Sequence, residues 1–255
     1  ATATLIPLMK DSGKVSFNGL VTSTGMSAQS VAKKFDFSYC ASNYKEILND
    51  KNDVVAITTR HDTHSKAICD ALAANKNVYV EKPLALSISE LEDINKAYTD
   101  NAKSQIMVGF NRRFAPSTNE IIQHFESVKS PLVINIRVNA GFIPADHWTQ
   151  DAQEGGGRMI GEGCHFIDLA SAITKSNVKT IYAVGSSKEE KSALLNDNLC
   201  LSLTFENGSI ASITYTADGS KAMSKEHIEV FGGGRSAQTK DFKEILLFDG
   251  DKKVK

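Results

Sequence analysis

Two side chains in this sequence have neighbours that suit proton and charge chemistry, Lys82 and His165. Lys82 ends the stretch Val78-Tyr79-Val80-Glu81-Lys82-Pro83, three strand-forming residues followed by a polar tip. Proline disfavours the helical region for the residue before it, so Lys82 is expected to be extended at the carboxyl end of a strand, where open α/β sheets place their ligands. Taken alone, a lysine in such a loop reads first as a solvated surface group. His165 falls in the first turns of a helix expected over about residues 161–174. There the positive end of the helix dipole disfavours imidazolium and keeps the ring available as a base. Glu162, His165 and Asp168 follow at i, i+3 and i+6, so neighbours in the series share one broad helical face. Both acids also have plain structural readings: an acid in a first turn suits the dipole, and Asp168 can serve a structural hydrogen bond.

The elements that must position these groups change character halfway along the chain. Leu5, Ile6 and Met9 share a helical face, with Lys10-Asp11-Ser12-Gly13 as a stop signal. A strand is expected over Val15–Val21, a turn at Thr22–Gly25 and helices near Ser27–Phe35 and Tyr44–Leu48. Val54–Ile57 is an apolar run of parallel-sheet type, followed by polar Thr58–Asp62 and an alanine-rich helix over 63–75. The Lys82 strand leads into a helix over 87–100 and a strand at Ile106–Phe110. Strands alternating with helices argue for βαβ units and a parallel sheet. After Pro131 the pattern becomes strands joined by turns. Leu199, Leu201, Leu203 and Phe205 alternate with smaller or polar residues, Asn207-Gly208 makes a tight turn, and Ala211, Ile213 and Tyr215 alternate on the return, a hairpin signal. Further strands are expected at Ile228–Phe231 and Ile245–Phe248. The change of pattern sets a domain boundary near 112–118, with domains at 1–114 and 115–255.

A net charge of −1 and the absence of any basic run exclude an electrostatic nucleic-acid footprint. No apolar stretch is long enough to span a membrane as a helix, and the first ten residues lack the basic region of a signal peptide. Cys40, Cys69, Cys164 and Cys200 are widely spaced, which predicts free thiols in a reducing compartment and a cytoplasmic protein. There is no G-x-S-x-G, H-E-x-x-H or P-loop. His61 and His64 with Asp62 make too sparse a set for a metal, and none is expected. Polar strand tips suggest nucleotide binding, yet no G-x-G-x-x-G occurs. Residue 1 reads as already inside the helix that should follow such a loop, so the first strand and glycine loop are expected to be cut away; the other reading is a sheet that never had them. Thr22-Ser23-Thr24 carry no acid for a ribose 2′-hydroxyl, which leaves room for NADP as well as NAD.

Four stretches in order, Thr59 to His64, VYVEKPLA, VGFNRRFAP and a glycine-rich turn leading to GEGCHFIDL, resemble the glucose–fructose oxidoreductase / inositol dehydrogenase / rhizopine-catabolism family (Gfo/Idh/MocA) over about residues 1–235. The resemblance implies an α/β chain: a Rossmann-type parallel sheet, N-terminally truncated, followed by an α+β domain with a mainly antiparallel open sheet that often makes homo-oligomer contacts. It implies NAD(P)-dependent oxidation or reduction of a secondary alcohol on a sugar, cyclitol or similar small molecule. Lys82 matches the family's catalytic lysine and His165 its second-domain histidine. Ser23, Thr24, Thr58, Thr59, His61, His64, Glu81, Lys82 and Arg112 would approach the cofactor; Arg113, His147, Trp148 and His165 would face the substrate. Members usually continue past Lys255 with a further helix and strand. Many carry an Asp four residues before the histidine; here that position is Gly161, so either Glu162 substitutes for it or the proton relay differs. A member that binds a ligand or partner without turnover is the alternative.

Hydride leaves a carbinol carbon only as its hydroxyl proton is removed. Lys82 could orient and polarise that oxygen and His165 could accept the proton, a form of help typically worth ~10²–10⁴-fold; the cofactor supplies the hard step.

Overall fold

The apolar runs of the first half become short parallel strands between helices. The computed structural model describes residues 1–186 and 196–255. Contacts divide it into Ala1–Val108 and Gly109–Lys255, a change of unit a few residues before the expected 112–118.

The first unit opens with helix α1 (Leu5–Asp11), strand β1 (Gly19–Leu20) and helix α2 (Gly25–Phe35). Strand β2 (Tyr39–Cys40) and helix α3 (Tyr44–Asn49) follow. The strand expected over Val15–Val21 is thus cut to two residues. A ladder extends only as far as its partner, and β1 pairs in parallel with just Tyr39 and Cys40. Next come β3 (Val54–Ile57), α4 (His64–Ala73), β4 (Asn77–Val80), α5 (Ile88–Asp100) and β5 (Ile106–Val108). Strands β3, β4 and β5 pair side by side, all parallel. The parallel part is therefore two sheets, of two and three strands. Val78 and Val80 of β4 pack with Ile68, Ala71 and Leu72 of α4 and Ile94 of α5. Ser87 starts α5 by accepting from the Glu90 N–H, while the Glu90 carboxylate accepts from the Leu86 N–H at 2.6 Å.

The second unit begins with a 3₁₀ turn over 111–114, helix α6 (Pro116–His124) and strand β6 (Val133–Asn139). A π turn at Met159–Gly163 runs into helix α7 (Cys164–Thr174). Then come β7 (Val178–Gly185), β8 (Leu199–Phe205), β9 (Ile210–Thr216), β10 (Glu226–Gly232), β11 (Arg235–Lys240), β12 (Glu244–Asp249) and β13 (Lys252–Lys253). The sheet order is β13-β12-β11-β10-β6-β9-β8-β7, antiparallel except where β6 meets β9. The expected hairpin forms, with Leu199 opposite Tyr215 and Gly208 at φ +85° in its turn. Along β8 the residues Leu199, Leu201, Leu203 and Phe205 are buried and those between them exposed, the period-two pattern of a sheet covered on one face.

Helix α7 covers that face. Phe166, Leu169, Ala170 and Ile173 are spaced i, i+3, i+4, i+7, one apolar stripe, and all are buried in the cluster with Ile134, Ile136, Leu203, Ile213 and Ile228. Phe166→Ala is expected to cost about 3–5 kcal/mol, the usual range for emptying a buried aromatic site. It should lower the urea midpoint without changing the slope. Ser202→Ala on the open face should stay within about 0.5 kcal/mol.

Candidate functional site

In the first unit the candidate residues gather at the carboxyl ends of β3 and β4, side by side because the strands are parallel and in register. Glu81 N–H donates to Ile57 O at 2.9 Å and extends the ladder one step beyond β4. Glu81 and Lys82 are half-buried, Pro83 is buried and the Lys82–Pro83 peptide is cis. Glu81 accepts from the Tyr79 hydroxyl at 3.0 Å; burial, and then this neighbouring carboxylate, push the Tyr79 phenol up to about 12. Tyr79 is therefore a fixed donor that orients Glu81. Thr58 and Thr59 are exposed, and the hydroxyls of Thr59 and Thr63 are hydrogen-bonded. Ser23 and Thr24 are exposed beyond β1, with the Thr24 side chain capping α2 by accepting from the Ser27 N–H.

Two buried histidines follow Thr59 in the sequence, His61 and His64. They are 6% and 0% exposed, and the rings lie 5.8 Å apart. His64 has one ring nitrogen on the Pro83 carbonyl and the other on the Thr59 carbonyl, 2.7 and 3.1 Å away. Burial and two backbone partners make His64 a brace between the segments that follow β3 and β4.

In the second unit, Glu162 is a hub. Its Oε2 accepts from Arg158 Nη2 at 2.9 Å and from the Tyr215 hydroxyl at 2.6 Å, and Oε1 accepts from Lys225 Nζ. Burial pushes this carboxyl up, but the donors from Lys225, Tyr215 and Arg158 outweigh it and hold it down at about 2. The same burial and the adjacent carboxylate push the Tyr215 phenol well above its usual range. Arg158 lies 5.4 Å over the Tyr215 ring and donates its second arm to Gly141 O at 2.7 Å. This ties the helix to the loop that carries His147 and Trp148.

His165 is 5% exposed, with the Phe110 ring edge-on at 5.9 Å. The expected dipole argument for it is weakened. The helical path begins at residue 157, and the π turn at Met159–Gly163 precedes α7, so the open end of the helix, where the dipole acts, lies about two turns upstream of His165. A π turn inserts an extra residue and turns the side chains after it to new directions.

Asp168 accepts from Arg113 at Nε (2.9 Å) and Nη2 (2.5 Å). Arg112 is likewise bidentate on Glu226 at 3.0 and 2.5 Å, and stacks 4.8 Å over Phe166. Two arginines read as cofactor and substrate groups thus each carry a dedicated carboxylate. His147 is exposed and caps the 3₁₀ turn 148–150; Trp148 is half-buried. Gly155 makes the approach of that turn possible, since a Cβ there would lie 2.4 Å from Thr149 Cα and from Trp148 O. Gly156 follows with φ +74°, a conformation that favours glycine.

Sequence reasoning missed Arg158, Tyr215, Lys225 and Glu226. Arg158 had a readable signal, its i, i+4 spacing to Glu162. Tyr215 looked like one more core residue of the hairpin, and nothing local marks Lys225-Glu226. Among the described residues no group of three or more His, Cys, Asp or Glu is placed to hold a metal ion, and no helix is long and apolar enough to cross a membrane.

Since the folded value of Glu162 is lowered, from 4.5 to about 2, its contribution to stability is fully present above the unfolded value and is lost as pH falls toward about 2. Glu162→Gln is expected to remove this acid limb and to cost on the order of 2–3 kcal/mol at neutral pH. Urea unfolding at neutral pH and at about pH 3 measures both; a variant as acid-sensitive as the parent would contradict the assignment.

Comparison with known proteins agrees with this architecture. Residues 1–110 match a family described as "Oxidoreductase family, NAD-binding Rossmann fold", and residues 130–237 match the "GFO/IDH/MocA C-terminal domain". An uncharacterized oxidoreductase of Bacillus subtilis, YrbE, is 29% identical over 82% of this chain and 62% of its own length. An inositol 2-dehydrogenase of Salmonella paratyphi B is 32% identical over 54% of this chain and 40% of its own length. The chain thus spans less than two thirds of either relative. A levoglucosan dehydrogenase solved with NADH and levoglucosan shares the fold, with a TM-score of 0.81 at 20% identity over 93% of this chain and 68% of that one. The two family matches together cover most of the sequence, and the chain belongs to the Gfo/Idh/MocA oxidoreductase family.

Proposed function

We propose that this protein transfers a hydride to or from a secondary alcohol of a sugar, cyclitol or related small molecule, with NAD or NADP. The observation that carries the reading is the commitment of the acids beside His165. Glu162, held at about 2 by three donors, is a poor proton acceptor near neutrality, and Asp168 is paired with Arg113. Proton transfer is therefore assigned to His165, with Glu162 as a positioning group and not as a replacement for the aspartate absent at Gly161. Asp168 orients Arg113, and Arg113 with His147 and Trp148 is assigned to the substrate side.

The donor set at the strand tips fits part of a dinucleotide. Thr58 and Thr59 offer exposed hydroxyls, and Glu81 and Lys82 stand half-buried at the ends of parallel strands, the edge at which such sheets hold ligands. Ser23 and Thr24 add neutral hydroxyls beyond β1, consistent with either a ribose hydroxyl or a 2′-phosphate. When bound, a nicotinamide cofactor supplies the hydride acceptor or donor. Lys82 orients and polarises the carbinol oxygen as charge develops on it, and His165 takes the hydroxyl proton. Residues 1–114 are assigned to the cofactor and 115–255 to the substrate and to self-association through the open sheet face. The relatives' names support this class: one is an inositol 2-dehydrogenase and another a levoglucosan dehydrogenase.

Titration with NADH and NADPH, followed by assays on sugars, inositols and sugar nucleotides, tests the reading. Lys82→Ala and His165→Ala are each expected to lower turnover by ~10²–10⁴-fold while cofactor binding persists. Saturable cofactor binding with no turnover on any substrate would favour a ligand-binding role, and turnover indifferent to Lys82→Ala would remove Lys82 from the mechanism.

A further inference from the structure

The eight-stranded sheet of the second unit ends in two edges that differ in kind. At one end stands β13, two residues long and made of Lys252 and Lys253, both exposed. Short length and lysines are devices that keep a sheet edge from pairing with another chain. At the other end stands β7, eight residues long, with Lys179 as its single charge. Among the described residues β7 pairs with β8 alone, so the N–H and C=O groups on its outer side have no ladder. Its side chains are open on both faces of the sheet. Tyr182 and Val184, 71% and 55% exposed, lie on the open face beside Ser202 and Cys200. Ile181 lies on the face that α7 covers, and it is 56% exposed although Leu203, its partner on β8, is 1% exposed. The apolar layer therefore runs one strand past its cover and stops at an open backbone edge.

We propose that the outer side of β7 pairs antiparallel with β7 of a second copy of this chain, joining two sheets edge to edge about a two-fold axis. A free backbone edge is completed by an extended strand, and a second copy supplies one of matching length. A two-fold that sets one strand beside its own copy in a continuous sheet stands perpendicular to that sheet. Residues opposite each other then share a face, so one residue must lie opposite its own copy. Placing Tyr182 there pairs residues 179–185 and leaves out Val178, which precedes the bulge and packs into the core. Thr180 then meets the partner's Val184 on the open face, and Ile181 meets the partner's Ala183 on the covered face, so the apolar layer continues across the join. Lys179 meets the partner's Gly185, which keeps the two lysines at opposite ends of the ladder. One strand pair is at the small end of specific interfaces, so the dimer is reversible and forms as concentration rises. It rests on no assignment of cofactor or substrate. It is also distinct from self-association through the open sheet face, which would stack two sheets and leave the β7 edge free.

Sedimentation of the whole chain over a wide range of concentration, together with amide hydrogen exchange, tests this. The mass is expected to rise from one chain to two. In the single chain, the β7 amides that face β8 should be protected and the alternate ones should exchange freely; in the dimer all should be protected. Tyr182→Lys brings two like charges together at the axis and should keep the chain monomeric, with the monomer's urea midpoint unchanged because Tyr182 is exposed. Ser212→Lys, on the open face two strands in from the edge, should leave the dimer intact. A chain that stays monomeric throughout would overturn the proposal. So would a dimer dispersed by Ser212→Lys and not by Tyr182→Lys, the signature of stacked faces, or a dimer in which alternate β7 amides still exchange freely. Should Tyr182→Lys fail to fold, Val184→Lys and the exchange pattern of the parent still decide.

Discussion

The stripe Phe166, Leu169, Ala170 and Ile173 against the inner face of the eight-stranded sheet is the contact on which the second unit depends. Each large side chain fully removed from water there is worth roughly 1.5–3 kcal/mol. A helix has one rotational setting that buries such a stripe. Once it is taken, Glu162 meets Arg158, Tyr215 and Lys225, Asp168 meets Arg113, and His165 meets the edge of the Phe110 ring. The sheet can accept the helix because β6, β8, β9 and β10 all alternate buried and exposed residues with the same face inward.

Around that packed face, charges come in sets. Arg112 meets Glu226, Arg113 meets Asp168, and Arg158 and Lys225 share Glu162. Pairs of this kind add little net stability, because desolvating the ions offsets their attraction; removing one partner is costly because the other is left buried and alone. Their effect here is geometric. Lys225 and Glu226 are consecutive in sequence, yet one grips Glu162 and the other grips Arg112, which stacks on Phe166. The residues flanking His165 are thus tied to the start of a single strand. Arg158 extends the tie to Gly141, so the position of the 141–150 loop follows that of the helix.

The first unit solves a different problem with backbone groups. Parallel strands end together, so their tips form a row of polar residues with no ladder left to hold them. Glu81 N–H continues the ladder by one bond, Tyr79 orients the Glu81 carboxylate, and His64 joins the carbonyls of both tips from behind. A buried ring is suited to this because its two nitrogens point in opposite directions and reach two segments at once.

Much of this was legible in the residues themselves. Apolar runs, the β-branched and alternating strands, the Asn207-Gly208 turn and the helix-length periods follow from local sterics and hydrophobic period, which act over a few residues and can be read along the chain. The polar tip at Lys82 was legible for the same reason, since Pro83 restricts its neighbour. What failed depended on partners distant in sequence. The Val15–Val21 strand shrank because its partner offers two residues. The exception is the dipole at His165, misplaced for a local reason: a π turn extends the helical path upstream. Glu162 changed from a candidate relay to a clamped anion because Tyr215 and Lys225, 53 and 63 residues away, donate to it. The sequence by itself determined which elements form and which residues have the chemistry to react. Only the tertiary structure decided which of those residues are neutralised and which are buried, because burial and charge pairing are set by groups that folding brings together.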